Sequence, residues 1–348
     1  MERRAGTSAA PFLSLNTFLR ERFGGKTRRI PLSLHRPCPN RTGGKTGCIF
    51  CLPEAYEPAA AFSRGSVTEQ IERHVARAKD CTKFIAYFQS GSNTAGPVDE
   101  LEAAFSEALA FDEIVALSIA TRPDCLSPES LGLIKRLQAG KETWVELGVQ
   151  TAHDRTLALL DRGHDAACSL NAIARLRAAC VPHIVLHLIA GLPGESEAEM
   201  IETVSAFSVS AGSRPRPAGL PRRSVGSGPA EPGNNRSRFA ASAPGAPQSH
   251  PLGFKIHHLQ VVKGTPLEAL WREGRVPTYA LDDYARLLVT LLEHTPEDVV
   301  IHRVIGDVPD RHLVAPRWDA GKAAALQRIL AEFKNRKTRQ GRLAKEDV

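Results

Sequence analysis

The sequence predicts an α/β fold built on a parallel sheet, and two observations support this prediction. First, short and almost continuously apolar runs recur along the chain, as is typical of buried parallel strands. Second, a segment with apolar residues at three- and four-residue steps follows each of the first five runs. Repeated strand–helix units require right-handed crossovers. The sheet is therefore either open or curled into a partial or full barrel.

The apolar runs and the periodic segments alternate in order along the chain. The predicted strands are IPLSLH (30–35), KFIAYFQ (83–89), EIVALSIA (113–120), TWVELGV (143–149), PHIVLHLIAGLP (182–193) and FKIHHLQVV (254–262). The helices between them are predicted over 67–79, 98–110, 127–139, 164–179 and 195–207. Further helices over 265–274, 280–293 and 320–334 flank a strand-like VVIHRVIG at 299–306. Pro97 with Asp99, and Ser127 with Pro128, are helix start signals.

One stretch, 211–253, interrupts this alternation. It contains 7 Gly, 8 Pro and 6 Ser together with six Arg, a composition typical of disordered linkers. A loop of about 2 to 6 residues is normal at this point, so we expect an insertion in a core that extends over 14–264. An alternative is that the stretch is translated non-coding or frame-shifted DNA. The remaining divisions are an N-terminal extension (1–13), a C-terminal extension (265–333) and a basic tail (334–348).

The net charge of +7 is concentrated in two segments of the chain. Residues 210–253 carry +5 and residues 334–348 carry +4, so the rest of the chain carries −2. Basic appendages on a nearly neutral body are weaker evidence for nucleic-acid binding than a basic face on the core would be.

Seven cysteines, an odd number spread over 348 residues, do not resemble the disulfide framework of a short secreted protein. The N-terminal apolar patch is too short and too polar for a signal sequence or a membrane span. We therefore expect reduced thiols, a cytoplasmic location and no membrane association.

Three cysteines lie in one glycine-rich stretch, CPNRTGGKTGCIFC, as Cys38, Cys48 and Cys51. The stretch follows the first predicted strand, at the carboxyl edge where parallel α/β folds place their active sites. Three thiolates can hold three irons of a [4Fe-4S] cluster and leave the fourth iron open. The alternative is zinc with His35 as the fourth ligand, in an H-x2-C-x9-C-x2-C arrangement.

Several further segments accompany the cysteines in a fixed order. They are NTFLRERFGG, TRPDCL, VELGVQTAHDRTL, RGHD, HLIAGLPGES, KIHHLQVVKGT, HRVIGD and LVAPRW. Together with the cysteine stretch they resemble the radical S-adenosylmethionine (SAM) superfamily, and within it the YhcC-like family, which is related to the radical SAM domain of the Elongator catalytic subunit. The resemblance implies a partial (β/α)6 TIM-type barrel with a C-terminal α/β extension.

The resemblance also implies a cofactor chemistry. A [4Fe-4S] cluster on Cys38, Cys48 and Cys51 would bind SAM at its open iron and cleave it reductively to a 5′-deoxyadenosyl radical, which abstracts hydrogen from a substrate. The electron donor would be a flavodoxin or a ferredoxin. The relationship to Elongator suggests tRNA, modified at its wobble uridine, as the substrate. The alternative function is a non-enzymatic zinc module that binds nucleic acid.

Two further residues match SAM-contacting positions of related radical enzymes such as oxygen-independent coproporphyrinogen oxidase. They are Gln150, at the end of the fourth predicted strand, and Arg162 in DRGHD. An arginine suits a carboxylate because its N–H groups form a planar fork.

The chain also departs from the superfamily pattern. Where relatives have Gly-Gly-Glu after the second strand, this chain has QSGSNT, which offers Ser92, Asn93 and Thr94 as hydrogen-bonding substitutes. Ala120 stands where several relatives place an acid that binds ribose, and His187 stands where those relatives have an aspartate.

Four residues are candidates for substrate contact: His257, His258, His302 and Lys263. Because alternate residues of a strand face opposite sides, His257 and His258 cannot both face the barrel interior. Lys263 is either a substrate contact or a solvated loop charge. Cys81, Cys125, Cys168 and Cys180 have no common spacing and are expected to be free, buried thiols. No residue is identified as a catalytic base.

Overall fold

The computed structural model describes residues 10–57, 64–210 and 250–344. In these ranges seven parallel strands form one sheet. In spatial order they are β1 (Thr27–Leu32), β2 (Lys83–Phe88), β3 (Ile114–Thr121), β4 (Glu142–Gln150), β5 (Ile184–Ala190), β6 (Leu252–His258) and β8 (Val300–Arg303). Two short strands, β7 (Val261–Val262) and β9 (Leu313–Ala315), pair antiparallel.

Helices follow the strands as the sequence predicts. They are α1 (Leu15–Phe23), α2 (Pro53–Tyr56), α3 (Val67–Val75), α4 (Val98–Leu109), α5 (Pro128–Leu137), α6 (Asp154–Leu159), α7 (Ala166–Ala178), α8 (Glu197–Ser210), α9 (Pro266–Arg272), α10 (Leu281–Glu293) and α11 (Lys322–Arg336). Their starts carry sequence-encoded caps. For example, Ser66 and Glu69 form a capping box at α3, and Ser127 caps α5 ahead of Pro128.

The sheet curls, so that side chains of strands that are not neighbours meet inside it. Lys255 Nζ on β6 donates a hydrogen bond to Tyr87 Oη on β2 over 2.8 Å. Arg29 on β1 reaches Glu146 on β4. The fold is therefore a curled half-barrel, which confirms the predicted partial barrel.

The two faces of the sheet differ in what they contact. On β4, Val145, Leu147 and Val149 belong to the apolar core formed with the outer helices. Trp144 and Glu146 alternate with them and face the interior. The near-continuous apolar runs of the sequence thus reflect an outer face that is completely covered.

Helix α1, which the sequence analysis did not predict, lies under the amino end of the half-barrel. Phe18 packs on Trp144 at a ring-centroid distance of 5.8 Å and on His183 at 4.9 Å. Ile85 and Val300 complete this apolar layer. Side chains of the described residues therefore fill the amino end of the half-barrel.

Both chain ends contribute contacts to the body. The Leu13 carbonyl oxygen accepts a hydrogen bond from the Ile301 amide of β8, the strand at the edge of the sheet. Gln340, in the segment predicted as a basic tail, is buried and donates to the Pro296 and Val299 carbonyl oxygens. Of the predicted insertion, only 250–253 lies within the described residues, and Leu252 already begins β6.

Some boundaries differ from the prediction. Strand β1 begins at Thr27 rather than at residue 30, and the predicted 254–262 strand divides into β6 and β7. Helix α6 was not predicted. Among the described residues, no helix is both long enough and apolar enough to cross a membrane. All seven cysteines are free thiols, but of the four expected to be buried only Cys81 is, since Cys125 and Cys168 are partly exposed and Cys180 is exposed.

Candidate functional site

The three clustered cysteines lie in the loop that leaves the carboxyl end of β1. Cys48 is buried, whereas Cys38 and Cys51 are partly exposed. A short 3-10 turn, Pro39–Arg41, follows Cys38, and the Cys51 amide donates to the Cys48 carbonyl oxygen over 3.0 Å. The loop thus folds back on itself at the barrel mouth, where the sequence predicts it.

Backbone contacts fix this loop to both halves of the chain. The Ile49 amide donates to the Leu160 carbonyl oxygen after α6 over 3.1 Å, and the Ile49 carbonyl oxygen accepts from the Leu267 amide of α9 over 2.9 Å. Gly47 has φ +84°, and a Cβ at this position would lie 2.6 Å from Arg41 Cγ. Glycine is required there because of both the backbone conformation and the packing.

The thiols are close enough to influence one another electrostatically. Burial, and to a lesser extent the Cys48 and Cys38 thiols, raises the pKa of Cys51 to about 11, whereas Arg41 opposes the shift. A bound cation or a cationic cluster would offset the mutual repulsion of the three thiolates.

The chemistry of this loop is set by its donor atoms, three thiols. In a [4Fe-4S] cluster each thiolate binds a different iron, and three thiolates leave the fourth iron open. Three thiols are therefore the donor set that such a cluster requires. Among the described residues, no group of three or more His, Cys, Asp or Glu side chains is arranged to hold a single ion. His35, the fourth ligand of the zinc alternative, lies 3.5 Å from Ser33 Oγ through its Nδ1.

Two N–H donors approach the buried sulfur. Arg162 Nη1 lies 3.3 Å from Cys48 Sγ, and Asn40 Nδ2 lies 3.5 Å from the same atom. Asn40 also donates to the Asp161 carbonyl oxygen over 2.7 Å. Donors aimed at a sulfur stabilise its negative charge, as cluster ligands require.

Arg162 and Gln150 meet at the end of β4. Arg162 donates to the Gly148 carbonyl oxygen, and its Nε is buried without a hydrogen-bond partner among the described residues. Gln150 has φ +69° beyond a break in the β4–β5 register. A Cβ at Gly148 would lie 2.6 Å from Arg162 Nη2 and 2.9 Å from Gln150 Nε2. The sequence-predicted pair is therefore adjacent and next to Cys48.

A second arginine, which sequence reasoning did not single out, supports the first. Arg122 donates to the Arg162 carbonyl oxygen over 2.7 Å and forms two 2.9 Å hydrogen bonds with Asp124. Burial alone would lower the pKa of Arg122, but its hydrogen bonds with Asp124 raise it. Burial, and then Arg162, lowers the pKa of His164 to about 4. Two cations, Arg162 and Arg122, therefore lie together with the neutral imidazole of His164.

The Ser92, Asn93 and Thr94 side chains are buried and mainly hold the β2 loop to the end of β3. Ser92 Oγ and Thr94 Oγ1 lie 2.9 and 2.5 Å from Thr121 Oγ1. Asn93 Nδ2 donates to the Phe88 and Ala120 carbonyl oxygens. Of these three side chains, Asn93 is the one with an atom, Oδ1, that is buried without a hydrogen-bond partner in the described part of the chain.

Below the mouth, polar side chains from six strands meet around the Glu146 carboxylate; we call this the interior cluster. Its members are Arg29 (β1), Tyr87 (β2), Ser118 (β3), Glu146 (β4), His187 (β5) and Lys255 (β6). Ser118 Oγ and His187 Nε2 each lie 2.7 Å from Glu146. Arg29 and Lys255 both form ion pairs with the same carboxylate. His187, predicted from resemblance to contact the cofactor, therefore belongs to this cluster.

The charges of the interior cluster are strongly coupled. Burial alone would raise the pKa of Glu146, but Arg29 and Lys255 hold it well below its ordinary value. Burial, and then Arg29, holds the pKa of Lys255 well below its ordinary value. Burial, and then Lys255, lowers the pKa of His187 to about 4. The cluster therefore holds an ionised carboxylate and a neutral imidazole.

The four substrate candidates lie in different places. His257 is close to the interior cluster, with its ring 6.0 Å from that of His187. His258 faces the C-terminal extension and packs on Trp318 at 4.2 Å. His302 lies lower, 2.7 Å from His183, and Lys263 is exposed in the turn after β7. Of the four candidates, His257 therefore lies beside a member of the interior cluster, His187.

Sequence reasoning did not identify Arg29, Glu146 and Lys255. A signal was present, because each is a charged residue within a strand or beside an apolar run, a position where charges are rare unless they are paired. Arg122 was present in the TRPD segment but was assigned no role.

Comparison with protein-family models gives two matches. The Radical SAM superfamily model matches residues 36–207, and the Radical_SAM C-terminal domain model matches residues 251–335. The two matches leave uncovered the N-terminal segment, most of the 211–253 stretch and the end of the chain.

Individual relatives agree with these matches. An uncharacterized protein, YtqA, of Bacillus subtilis is 32% identical over 94% of this chain and 91% of its own length. Protein YhcC of Escherichia coli is 32% identical over 86% of this chain and 85% of its own length. A tRNA uridine(34) acetyltransferase of Dehalococcoides mccartyi is 28% identical over 56% of this chain and 34% of its own length.

Among solved structures, Methanocaldococcus infernus Elp3 with an N-terminal deletion has the same fold. The TM-score is 0.60 at 18% identity, over 90% of this chain and 64% of that chain.

Proposed function

Because this chain belongs to the radical SAM superfamily, we propose that it is an enzyme that binds a [4Fe-4S] cluster on Cys38, Cys48 and Cys51. When bound, the cluster would supply one electron to cleave SAM into methionine and a 5′-deoxyadenosyl radical that abstracts hydrogen from a substrate. The observation that carries the proposal is the convergence of three thiols and two N–H donors at the carboxyl edge of the half-barrel.

In this proposal, side chains of the protein position SAM and supply the charge that binds its carboxylate. Arg162 donates to Cys48 Sγ with one nitrogen and keeps Nε unpartnered among the described residues, so it can bind a SAM carboxylate while it holds the thiolate. Gln150 lies beside it and offers an amide. Arg122 fixes the Arg162 backbone, so that the guanidinium stays in place without a ligand.

Asn93 Oδ1 is the remaining acceptor at this rim and suits an N–H or O–H of the nucleoside. Ser92 and Thr94 orient that segment through Thr121. The apolar layer of Phe18 and Trp144 keeps water from entering through the amino end, which protects reactive species in the interior.

The test is anaerobic reconstitution with iron and sulfide. We expect a paramagnetic iron–sulfur centre after reduction with dithionite, and formation of 5′-deoxyadenosine from SAM. Cys38→Ser, Cys48→Ser and Cys51→Ser should each lose both signals. Cys180→Ser, at an exposed thiol, is the matched control and should retain them. A colourless protein that binds one zinc ion would replace the proposal with a metal-binding module.

For the substrate we propose RNA, with tRNA uridine as the first candidate, since the D. mccartyi relative is a tRNA uridine(34) acetyltransferase. Modified nucleosides in total tRNA from cells with and without the gene would be compared by mass spectrometry. A nucleoside that disappears with the gene, and returns with the wild-type chain but not with Cys48→Ser, supports this substrate. Identical nucleoside profiles would exclude it.

We also propose a flavodoxin or ferredoxin as electron donor and a cytoplasmic location. Reduction of the reconstituted protein by such a donor, in place of dithionite, would give 5′-deoxyadenosine. If neither flavodoxin nor ferredoxin supports formation of 5′-deoxyadenosine, the proposed electron donor is wrong.

A further inference from the structure

The interior cluster is unusual because barrel interiors are normally filled with apolar side chains. The layer below it follows that rule with Ile85, Ala116, Trp144 and Val300. Glu146 lies one step up β4 from Trp144, and Arg29 and Lys255 reach it from β1 and β6, so charged side chains that are nearly or fully buried take the place of apolar ones. Burying charges costs stability that apolar residues would not cost, so the cluster calls for a functional reason.

The charges of the cluster balance only if Lys255 gives up its proton. When Lys255 is protonated, one carboxylate, Glu146, faces two cationic side chains, Arg29 and Lys255. Arg303 at the end of β8, which pairs with Asp307 over 3.7 Å, also acts electrostatically on Lys255 and on His257. A buried surplus of positive charge is unfavourable until an anion joins it.

Hydrogen-bond donors are also left over. A lysine ammonium has three N–H donors, and Lys255 directs two of them to Glu146 and Tyr87. In the described part of the chain, Arg29 Nε and His257 Nε2 are buried without a hydrogen-bond partner. Burial holds the pKa of His257 well below its ordinary value, so its imidazole is neutral and can offer one N–H.

The cluster is within reach of the mouth. The His187 side chain is 21% exposed, so solvent reaches this layer. On β4, Glu146 lies two residues before Gly148, whose carbonyl oxygen accepts from Arg162. Two residues of a strand span about 7 Å, a distance that one small molecule can bridge.

We propose that the interior cluster binds an acidic group of the substrate, a carboxylate or a phosphate, with Lys255 and His257 as its direct donors. This inference rests on the proposed function, since it names the substrate class of that same site. The anion supplies the missing negative charge, and Lys255 then keeps its proton. The substrate is thereby held by its acidic end while its reacting carbon points toward the mouth.

The experiment titrates the reconstituted protein with inorganic phosphate, with acetate and with uridine, by isothermal calorimetry. We expect one of the two anions to bind, and to bind at least 10-fold more weakly to Lys255→Met and to His257→Leu. The matched control, Lys135→Met on the exposed face of α5, should bind as the wild type does. Binding of phosphate would indicate a phosphate group on the substrate, and binding of acetate would indicate a carboxylate.

Far-UV circular dichroism and iron content establish that each variant folds, and His257→Leu leaves the ion pairs intact. Equal anion affinities in the wild type and in both variants would overturn the inference, as would uridine binding more tightly than either anion. Failure of the proposed function has a different signature, because it would abolish 5′-deoxyadenosine formation in the wild type and leave the anion titration measurable.

Discussion

Arg162 Nη1 donates to Cys48 Sγ over 3.3 Å although 114 residues separate the two in the chain. The contact joins the loop after β1 to the turn after α6, and the same guanidinium also holds the Gly148 carbonyl oxygen of β4. One side chain thus couples the thiol loop, the sheet and the region proposed for SAM.

The first prediction concerns the redox potential of the reconstituted cluster. Arg162→Gln removes a positive charge and an N–H···S bond, both of which favour the reduced and more negative cluster. The midpoint potential in a dithionite titration followed by electron paramagnetic resonance should therefore decrease. Arg155→Gln, at an exposed arginine paired with Glu199, is the control and should leave the potential unchanged. An unchanged potential in Arg162→Gln would contradict the role of this contact.

The second prediction concerns Gly148. Gly148→Ala places a methyl group against Arg162 and Gln150, so both must move. We expect a destabilisation of about 1–3 kcal/mol, typical of overpacking, together with weaker SAM binding. Gly132→Ala in α5 has open space and should instead stabilise by roughly 0.5–1 kcal/mol. Urea denaturation and a SAM titration measure the two effects, and normal SAM affinity in Gly148→Ala would refute the prediction.

The third prediction concerns the apolar layer at the amino end. Phe18→Ala removes a fully buried ring from Trp144 and His183, and should cost about 3–5 kcal/mol of unfolding free energy. Leu159→Ala, at a 47% exposed position, should change it by less than about 0.5 kcal/mol. Chemical denaturation of both variants provides the comparison. Similar losses in the two would mean that α1 is not docked in solution.

The fourth prediction concerns pH. Burial lowers the pKa of His258 to about 4, against roughly 6.5 in an unfolded chain. Between these values the unfolded state binds more protons, so stability is complete above about pH 6.5 and is lost as the pH falls toward 4. From pH 7.5 to 5.5 this histidine should account for a loss of about 1.3 kcal/mol. His258→Asn should reduce the measured pH dependence by that amount, and an unaltered dependence would disprove the assignment.

The sequence allowed the sheet, its parallel order and the thiol loop to be predicted, because these depend on local signals. Apolar runs identify covered strands, and three cysteines in one glycine-rich loop predict a metal centre. Helix α1 was missed because its buried face is only Phe18 and Leu19. That face is too short for a periodic pattern.

The interior cluster could not be assembled from the sequence for a different reason. Arg29, Glu146 and Lys255 are more than 100 residues apart from one another, and only the curl of the sheet brings them together. The pairing of His187 with Glu146 is likewise a product of the barrel, whereas its strand position suggested a cofactor contact. Local patterns identify strands, but they do not show which side chains meet across an interior.

The Phe18 and Trp144 layer has a consequence for turnover. Because described side chains fill the amino end, the cofactor and the substrate of the proposed enzyme would both enter from the carboxyl end. The reactant that binds second would then leave before the spent nucleoside, which predicts an ordered kinetic mechanism.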